Sequence, residues 1–421
     1  MVQYKTLVKK VSISPEKKTK QKDYLPKGQL PIIDQGQQLI GGYSDNPDLQ
    51  LSCNLPVIVF GDHTRAVKYV DFPFGAGADG IKVLEPAKGI YPKFLYYATQ
   101  YLVFRLEDRG YARHYQYIEK KELDIPSISE QKRIVAYIEE LFSELDTGVE
   151  TLRKTKQQLA VYRQTVMVDA FSGKLTKEWR KANPYKKPDY FSVSHNIRDQ
   201  LAAKSHAKKL KYAFPEKLAL YDIPEEWDFI QMGDIAWSIK DGPHFSPQYS
   251  ETGIPFITGG NVRPNGVDFI SAKRISPELH EEFKKRCFPE KGDMLYTKGG
   301  TTGIARVNTY DFPFSVWVHV AVIKYANTVI PEYFQHVLNS PFCYRQSQDY
   351  THGVGNQDLG LTRMINIVFP ICSIDEQQQV VRELETRLSV CDSIEQTVDT
   401  ALQQAEAMRQ SVLKRAFEGR I

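Results

Sequence analysis

The sequence predicts an α+β chain in which two β-rich globular regions alternate with two long helices, arranged as a tandem pseudo-two-fold repeat. Three observations predict it. Residues 130–175 recur as residues 376–421 at a constant offset of 246 without a gap, and 15 of those 46 positions are identical. Unrelated segments would share about three at ordinary residue usage. Both copies place apolar residues every seventh position, the signature of paired helices. The stretches before each copy hold short β-branched and aromatic runs broken by Gly, Pro and Asp, which read as strands and turns.

Taken in order, the chain is expected to hold a first globule at 1–126, a helix at 127–173 and a basic linker at 174–220. A second globule at 221–370 and a second helix at 371–421 complete it. In the first globule, Leu30–Ile33, Pro56–Phe60, Ala66–Val70 and Ile81–Leu84 read as strands. Phe94–Phe104 has helical spacing, and a polar aromatic loop follows from Arg109 to Tyr117. The second globule repeats this plan more loosely. Asp71-Phe72-Pro73-Phe74 recurs as Asp311-Phe312-Pro313-Phe314, and Tyr91-Pro92 corresponds to Ile330-Pro331 before a helix at Glu332–Leu338. Ile125-Pro126 corresponds to Phe369-Pro370, and a polar loop from Asp349 to Leu361 stands where Arg109–Tyr117 stood. The offset drifts from 239 to 246 between these matches, so the length changes fall in loops.

The first helix carries Ile138, Leu145, Leu152, Leu159 and Val166 on its seam, with Ile134, Leu141 and Tyr162 expected beside them. The second carries Leu384, Cys391, Val398, Ala405 and Val412, with Val380, Ile394, Ala401 and Met408 as companions. Large residues in one copy against small ones in the other suit an antiparallel coiled coil between the two. Ser129 and Ser373 supply N-cap chemistry, and Gly173 and Gly419 stand at the expected C-terminal caps.

Composition bounds the function. The length calls for several domains, and 42% hydrophobic with 25% charged residues is globular usage. The polar, basic start at Met1–Lys10 does not read as a signal peptide, and no apolar run approaches a membrane span, so a cytoplasmic protein without membrane contact is expected. Five scattered cysteines without a Cys-x-x-Cys pair read as free thiols. The formal charge is only +4, but residues 1–27 hold eight lysines, and a second basic run extends from Lys174 to Lys211.

Catalytic motifs are missing from the sequence. Gly75-Ala76-Gly77-Ala78-Asp79-Gly80 fits the dinucleotide pattern by letter, but Ile81–Leu84 reads as a strand where that fingerprint requires a helix. Asn183-Pro184-Tyr185 lacks a proline of the amino-methyltransferase signature. There is no phosphate-cradling Gly-x-x-x-x-Gly-Lys-Ser/Thr loop, the nine histidines lack metal-ligand spacing, and no nucleophilic triad can be assigned. No enzyme, cofactor or metal site is expected on this chain.

The order of motifs resembles the specificity (S) subunits of type I restriction-modification systems, over essentially the whole chain. The resemblance rests on Ile125-Pro126 and Phe369-Pro370 before Glu-Gln and an Ile/Val-rich helix, and on the helix endings Phe171-Ser172-Gly173-Lys174-Leu175 and Phe417-Glu418-Gly419-Arg420-Ile421. Thr176-Lys177-Glu178-Trp179-Arg180, Ile223-Pro224-Glu225-Glu226-Trp227 and Gly355-Asn356-Gln357-Asp358-Leu359 also look like the family's linker, second-domain lead-in and late loop. The first globule departs from the pattern, lacking a Pro-x-x-Trp lead-in. The resemblance implies two target-recognition domains, each reading half of a split site in double-stranded DNA. It implies helices that set the spacing and dock two methyltransferase (M) subunits. Restriction/translocase (R) subunits complete the complex, and S-adenosylmethionine and ATP belong to those partners.

Base and phosphate recognition calls for Arg, Lys, Asn, Gln, hydroxyls and Gly-rich turns. In the first globule the candidates are Gln35, Gln37, Tyr43, His63, Thr64, Arg65, Tyr111, Arg113, His114 and Tyr115. In the second they are Lys240, His244, Asn261, Arg263, Lys298, Thr301, Thr302, His352, Asn356 and Gln357. Two other readings remain open: a DNA-modifying enzyme fused to its own recognition domains, and a coiled-coil protein-interaction scaffold.

Overall fold

The computed structural model describes residues 1–419 apart from Asp79, Asp108, Arg109, Tyr111, Glu216, Lys217, Val354, Gly355 and Asn356. The chain divides into two compact units, one of Met1–Thr155 with Thr397–Ile421 and the other of Lys156–Gln396. The division falls inside both long helices, so each unit combines a globule, the start of one helix and the end of the other.

In the first unit, the strands Val8–Val11, Ile81–Pro86, Val57–Gly61 and Val67–Val70 lie side by side in that order, all antiparallel. A second sheet orders Lys18–Thr19, Gly75–Gly77, Leu30–Ile33 and Gly42–Ser44, with parallel pairs at Gly75–Gly77. Val57–Gly61 is buried throughout, and its side chains alternate as a strand's must. Val57 and Val59 pack with Ile33, Val70, Phe74 and Val83. Ile58 and Phe60 pack with Tyr4, Leu84, Leu95 and Ala98. The helix Pro92–Phe104, opened by a proline whose missing N–H costs nothing there, covers this second cluster. Ile134, Val135 and Ile138 of one long helix join it, and so do Leu413 and Ala416 of the other. The dinucleotide-like glycines lead into the strand Ile81–Pro86.

The second unit has an antiparallel sheet of Ala236–Asp241, Val320–Tyr325, Met294–Thr297 and Ala305–Val307, in that order. A three-stranded sheet of Lys273–Ile275, Ile254–Ile257 and Ser315–Val316 has one parallel pair. Alternation recurs in the inner strand, with Met294 and Tyr296 in one core cluster and Leu295 in another. Residues 174–220 are more than the expected linker, for they contain the helices Lys177–Ala182 and Tyr190–Lys204. Tyr190 is buried in the globule's core. His195 Nε2 lies 2.8 Å from Asp234, and Arg198 donates to the Gly233 carbonyl at 2.9 Å. Those buried polar bonds fix the segment to the globule.

The long helices run Ile128–Phe171 and Ile374–Phe417, 44 residues each, or roughly 66 Å at 1.5 Å per residue. Ser127, not Ser129, caps the first, its Oγ accepting from the Glu130 N–H at 3.3 Å. Ser373 does the same for Glu376 at 3.3 Å. Gly173 and Gly419 end the helices in the left-handed region, at φ 74° and 71°.

Ile138, Leu159, Val166, Leu384, Cys391, Val398 and Ala405 are buried, while Leu145, Leu152 and Val412 are half-buried. The companion row differs from expectation. Ile134 and Val380 are buried and Leu141 and Ala401 half-buried, but Tyr162, Ile394 and Met408 are 44%, 40% and 55% exposed. The row instead lies one residue further on, at Val135, Phe142, Val149 and Ala170, and at Val381, Leu388, Leu402 and Ala416. That row flanks the seam on its other side, with the same alternation of three- and four-residue steps that a paired helix requires.

Charged pairs flank the seam in each unit. In the second, Arg163 Nη2 meets Asp392 at 2.6 Å and Glu395 at 3.1 Å. In the first, Arg409 pairs with Asp146. Gln131 accepts from the Tyr91 N–H (2.8 Å) and donates to the carbonyls of Gly89 (3.1 Å) and Pro126 (3.0 Å). Gln377 accepts from Ile330 N–H (2.9 Å) and donates to Thr328 (3.0 Å) and Cys372 (2.9 Å).

Candidate nucleic-acid interface

One edge of the first globule gathers loops that follow its strands. The Gly61 N–H bonds the Ala66 carbonyl at 2.8 Å, closing a turn that carries Asp62, His63, Thr64 and Arg65. Thr64 Oγ donates to the Gln35 carbonyl, and Gln37 Nε2 donates to the Thr64 carbonyl at 3.4 Å. Asp62 N–H reaches the Gly80 carbonyl at 2.5 Å, and His114 N–H reaches the Asp62 carbonyl at 2.8 Å. Gln35, Gln37, His63, Thr64, Arg65 and His114 therefore share one edge. Arg113, next to His114, is exposed. Tyr43 belongs to the Gly42–Ser44 strand, half-buried and bonded through its backbone to Leu25. Tyr111 lies outside the described residues.

Two of these candidates are structural. His114 is 1% exposed and Tyr115 4% exposed. His114 Nδ1 lies 3.0 Å from the Asp62 carbonyl, and the Tyr115 N–H donates to the Asp62 carboxylate at 2.8 Å. Lys10 sits 4.6 Å from the centre of the Tyr115 ring, and burial pushes the Tyr115 hydroxyl up to about 12. A base cannot reach rings that the globule has enclosed; they hold the loop that presents Arg113.

Arg65 is one of two non-glycine residues at positive φ among the described residues, at 62°. That conformation costs an L-residue roughly 1–2 kcal/mol. Arg65 also lines, with Gln37, an open groove of about 840 Å³ whose far wall includes Glu139, Asp146, Glu150 and Arg409.

The second globule builds its edge around a buried ion pair. Lys298 Nζ lies 2.9 Å from Asp358 and 3.5 Å from Asp241. Asp241 also meets Arg286 at 2.7 Å and His244 at 3.2 Å. The Gly300 N–H donates to the Gln357 carbonyl at 3.1 Å, and His352 and Asp358 exchange backbone bonds. Lys240, His244, Thr301, His352 and Gln357 are exposed around this centre. Arg263, also exposed, pairs with Asp268 at 2.9 Å. Asn356 lies outside the described residues.

Lys298, Thr302 and Asn261 are buried, contrary to expectation. Lys298 is held between the carboxylates of Asp358 and Asp241. Thr302 Oγ lies 3.0 Å from Thr351 Oγ. Asn261 accepts from Thr258 N–H and Oγ at 2.9 and 2.8 Å, and donates to the Asp268 carbonyl at 3.2 Å. Each is used up inside the globule. Sequence reading missed Arg286 and Phe245, both exposed on this edge; the run Lys284-Lys285-Arg286 was the available signal.

Both edges offer exposed cations, amides and turn backbone, the groups that bind phosphate oxygens and base edges. Among the described residues, no group of three or more His, Cys, Asp or Glu could hold a metal ion, and no helix is long and apolar enough to cross a membrane.

Residues 224–404 match the family model described as type I restriction modification DNA specificity domain. The chain is 28% identical over 308 residues to the specificity subunit of the Escherichia coli type I restriction enzyme EcoBI, covering 71% of this chain and 58% of that subunit. It is 25% identical over 358 residues to the E. coli EcoDI specificity subunit, covering 80% and 72%. A chain from a solved structure addressing complex assembly and conformational transition of the type I R-M system superposes with a TM-score of 0.61. That superposition covers all of this chain and 97% of the other at 14% identity, a likeness of fold.

Proposed function

We propose, from this chain's similarity to type I restriction-modification specificity subunits, a protein that reads a split site in double-stranded DNA, one half to each globule. The observation that carries this reading is the presence of two polar loop edges on sheets of matching strand order. The exposed residues differ between them, as two different half-sites require. The long helices pair as an antiparallel coiled coil and set the distance between the halves. The offset of 246 that joins Asp146 to Asp392 also joins Arg163 to Arg409, and the ion pairs connect these residues crosswise. Each unit thus holds the same ion pair, with the arginine and the aspartate exchanged between the two copies of the repeat.

In this reading the chain is a non-catalytic, cytoplasmic subunit. Two methyltransferase subunits dock on the helices and bring S-adenosylmethionine, and restriction/translocase subunits bring ATP. The test is reconstitution. The purified chain with S-adenosylmethionine should transfer no methyl group, while adding the methyltransferase subunits should give adenine methylation at one two-part motif. Methyl transfer by the chain alone would favour an enzyme carrying its own recognition domains. A complex without salt-dependent DNA affinity would favour a protein scaffold.

A further inference from the structure

We propose that Lys208, Lys209 and Lys211 grip the phosphate backbone of DNA beside the second globule's recognition edge, a step that rests on the reading above. The basic run from Lys174 ends in Lys208-Lys209-Leu210-Lys211. A run of lysines is ordinarily a solvated face. Three features set this end of the run apart.

Its backbone is fixed to the globule. The Tyr212 hydroxyl donates to Asp234 at 2.9 Å and accepts from Arg198 at 2.7 Å. The Ala213 N–H donates to the Asn366 side chain at 2.9 Å, and Gln231 donates to the Ala213 carbonyl at 2.9 Å. The Tyr212 ring lies so close to Gly233 that a Cβ there would stand 2.5 Å from it. Leu210, between the lysines, packs on the globule's core. Charges on a pinned backbone are held together in advance, so binding has less to order.

Its charges are open to a partner. Lys208, Lys209 and Lys211 are exposed, and none of them forms an ion pair among the described residues. Earlier in the run, Lys181 pairs with Glu178 at 2.9 Å and Lys187 with Asp228 at 3.0 Å. Asp199 lines a cleft with Lys208 and Lys209, but it is taken by Arg198 at 2.6 Å.

Its place is beside the loops already described. Lys211 lines an open cleft of about 510 Å³ with Tyr350 and Arg363. Arg363 donates to the carbonyls of Tyr350 and Asp358, each at 2.8 Å. Asp358 in turn holds Lys298 at the centre of the recognition edge. Lys211 therefore adjoins that edge, and Lys208 and Lys209 carry the positive surface on towards Trp237. An ammonium group is a compact point charge without a fork, suited to phosphate oxygens rather than to base edges. These lysines would add affinity for DNA of any sequence and leave the reading of bases to the edge.

The experiment uses Lys208→Gln, Lys209→Gln and Lys211→Gln combined in one full chain, assembled with the methyltransferase subunits. Binding is measured over a salt series on duplexes with and without the two-part motif, and methylated sites are mapped. Affinity should fall by a similar factor on both duplexes. The slope of log affinity against log salt should flatten by about 1 for each lysine that meets a phosphate, up to about 3. The methylated motif should stay the same. Arginine at all three positions keeps the charge and should keep the wild-type slope. Thermal unfolding of each full chain checks the fold, and if the triple variant does not fold, Lys211→Gln alone should flatten the slope by about 1. An unchanged slope in a folded variant overturns the proposal, as does an altered motif. Loss of complex assembly also overturns it, assigning the lysines to an acidic protein surface. A wild-type complex whose DNA affinity ignores salt overturns the DNA reading itself, which separates the two failures.

Discussion

Arg163 and Asp392, 229 residues apart in sequence, meet at 2.6 Å across the second unit's helix pair. Arg409 and Asp146 make the corresponding contact in the first unit. These are half-exposed pairs, so their energies are modest; their geometry matters more.

Reversing one charge tests the pairing. Arg163→Glu should destabilise the chain by roughly 0.5–1 kcal/mol, because it removes the pair and faces Asp392 and Glu395 with a like charge. Adding Asp392→Lys should recover most of that loss in urea unfolding. A double variant no more stable than Arg163→Glu would mean the two side chains do not interact.

Glu130 and Glu376 begin the two copies of the repeat yet live in different surroundings. Glu376 is fully buried and accepts from Arg180, Thr176 and Tyr185 at 2.5–2.6 Å. Glu130 faces solvent and pairs with Arg133. Glu376→Ala leaves the nearly buried Arg180 with its longer 3.5 Å contact to the Glu226 carboxylate and should cost on the order of 3 kcal/mol. Glu130→Ala should leave the denaturation midpoint close to wild type. Equal effects of the two substitutions would contradict the burial difference.

Acid should weaken the second unit first. Burial holds the imidazoles of His280, His319 and His336 below the ordinary value of 6.5. Folded, these rings take up a proton less readily than unfolded ones, which do so near 6.5. Their contribution to stability is therefore complete above that value and is lost as the pH falls through it. The unfolding temperature should drop between about pH 7 and 5.5, and His336→Gln should flatten part of the drop. A flat profile in the wild type would refute the assignment.

The helices can be tested as a ruler. Four residues inserted after Thr151 and four after Thr397 add about one turn to each helix, or ~6 Å, close to two base-pair steps. With half-sites unchanged, the preferred spacer should grow by one or two base pairs and activity should fall. The measurement is methylation of duplexes with stepped spacers. An unchanged optimum in a folded protein would remove the helices from that role.

Much of the architecture was legible because its signals are periodic or repeated. Heptads, the offset of 246 and the strand runs survive without knowledge of neighbours. What could not be read is what packing decides. Asp62 and Lys298 follow the inner strands of the two sheets and make matching backbone bonds, to Gly80 and His114 in one case and to His319 and Leu359 in the other. One is an acid and the other a base, so no letter match links them. Burial of Lys298, His114 and Tyr115 was invisible for the same reason: a loop residue shows its chemistry in the sequence but not which way it faces. The folded segment at 174–220 was hidden by its lysines, which line the outside of helices whose inner contacts are few but specific.

The division of each unit across both helices also has a consequence for how the chain is made. The first globule's core closes only when Leu413 and Ala416 pack beside Ile134 and Ile138. Ala416 leaves the ribosome 282 residues after Ile134, a delay of roughly 15–55 s at 5–20 residues per second. Throughout that interval the nascent first globule shows water an apolar strip that nothing yet covers. The second globule must be threaded out before the first can finish, which makes this a chain whose two ends mature together.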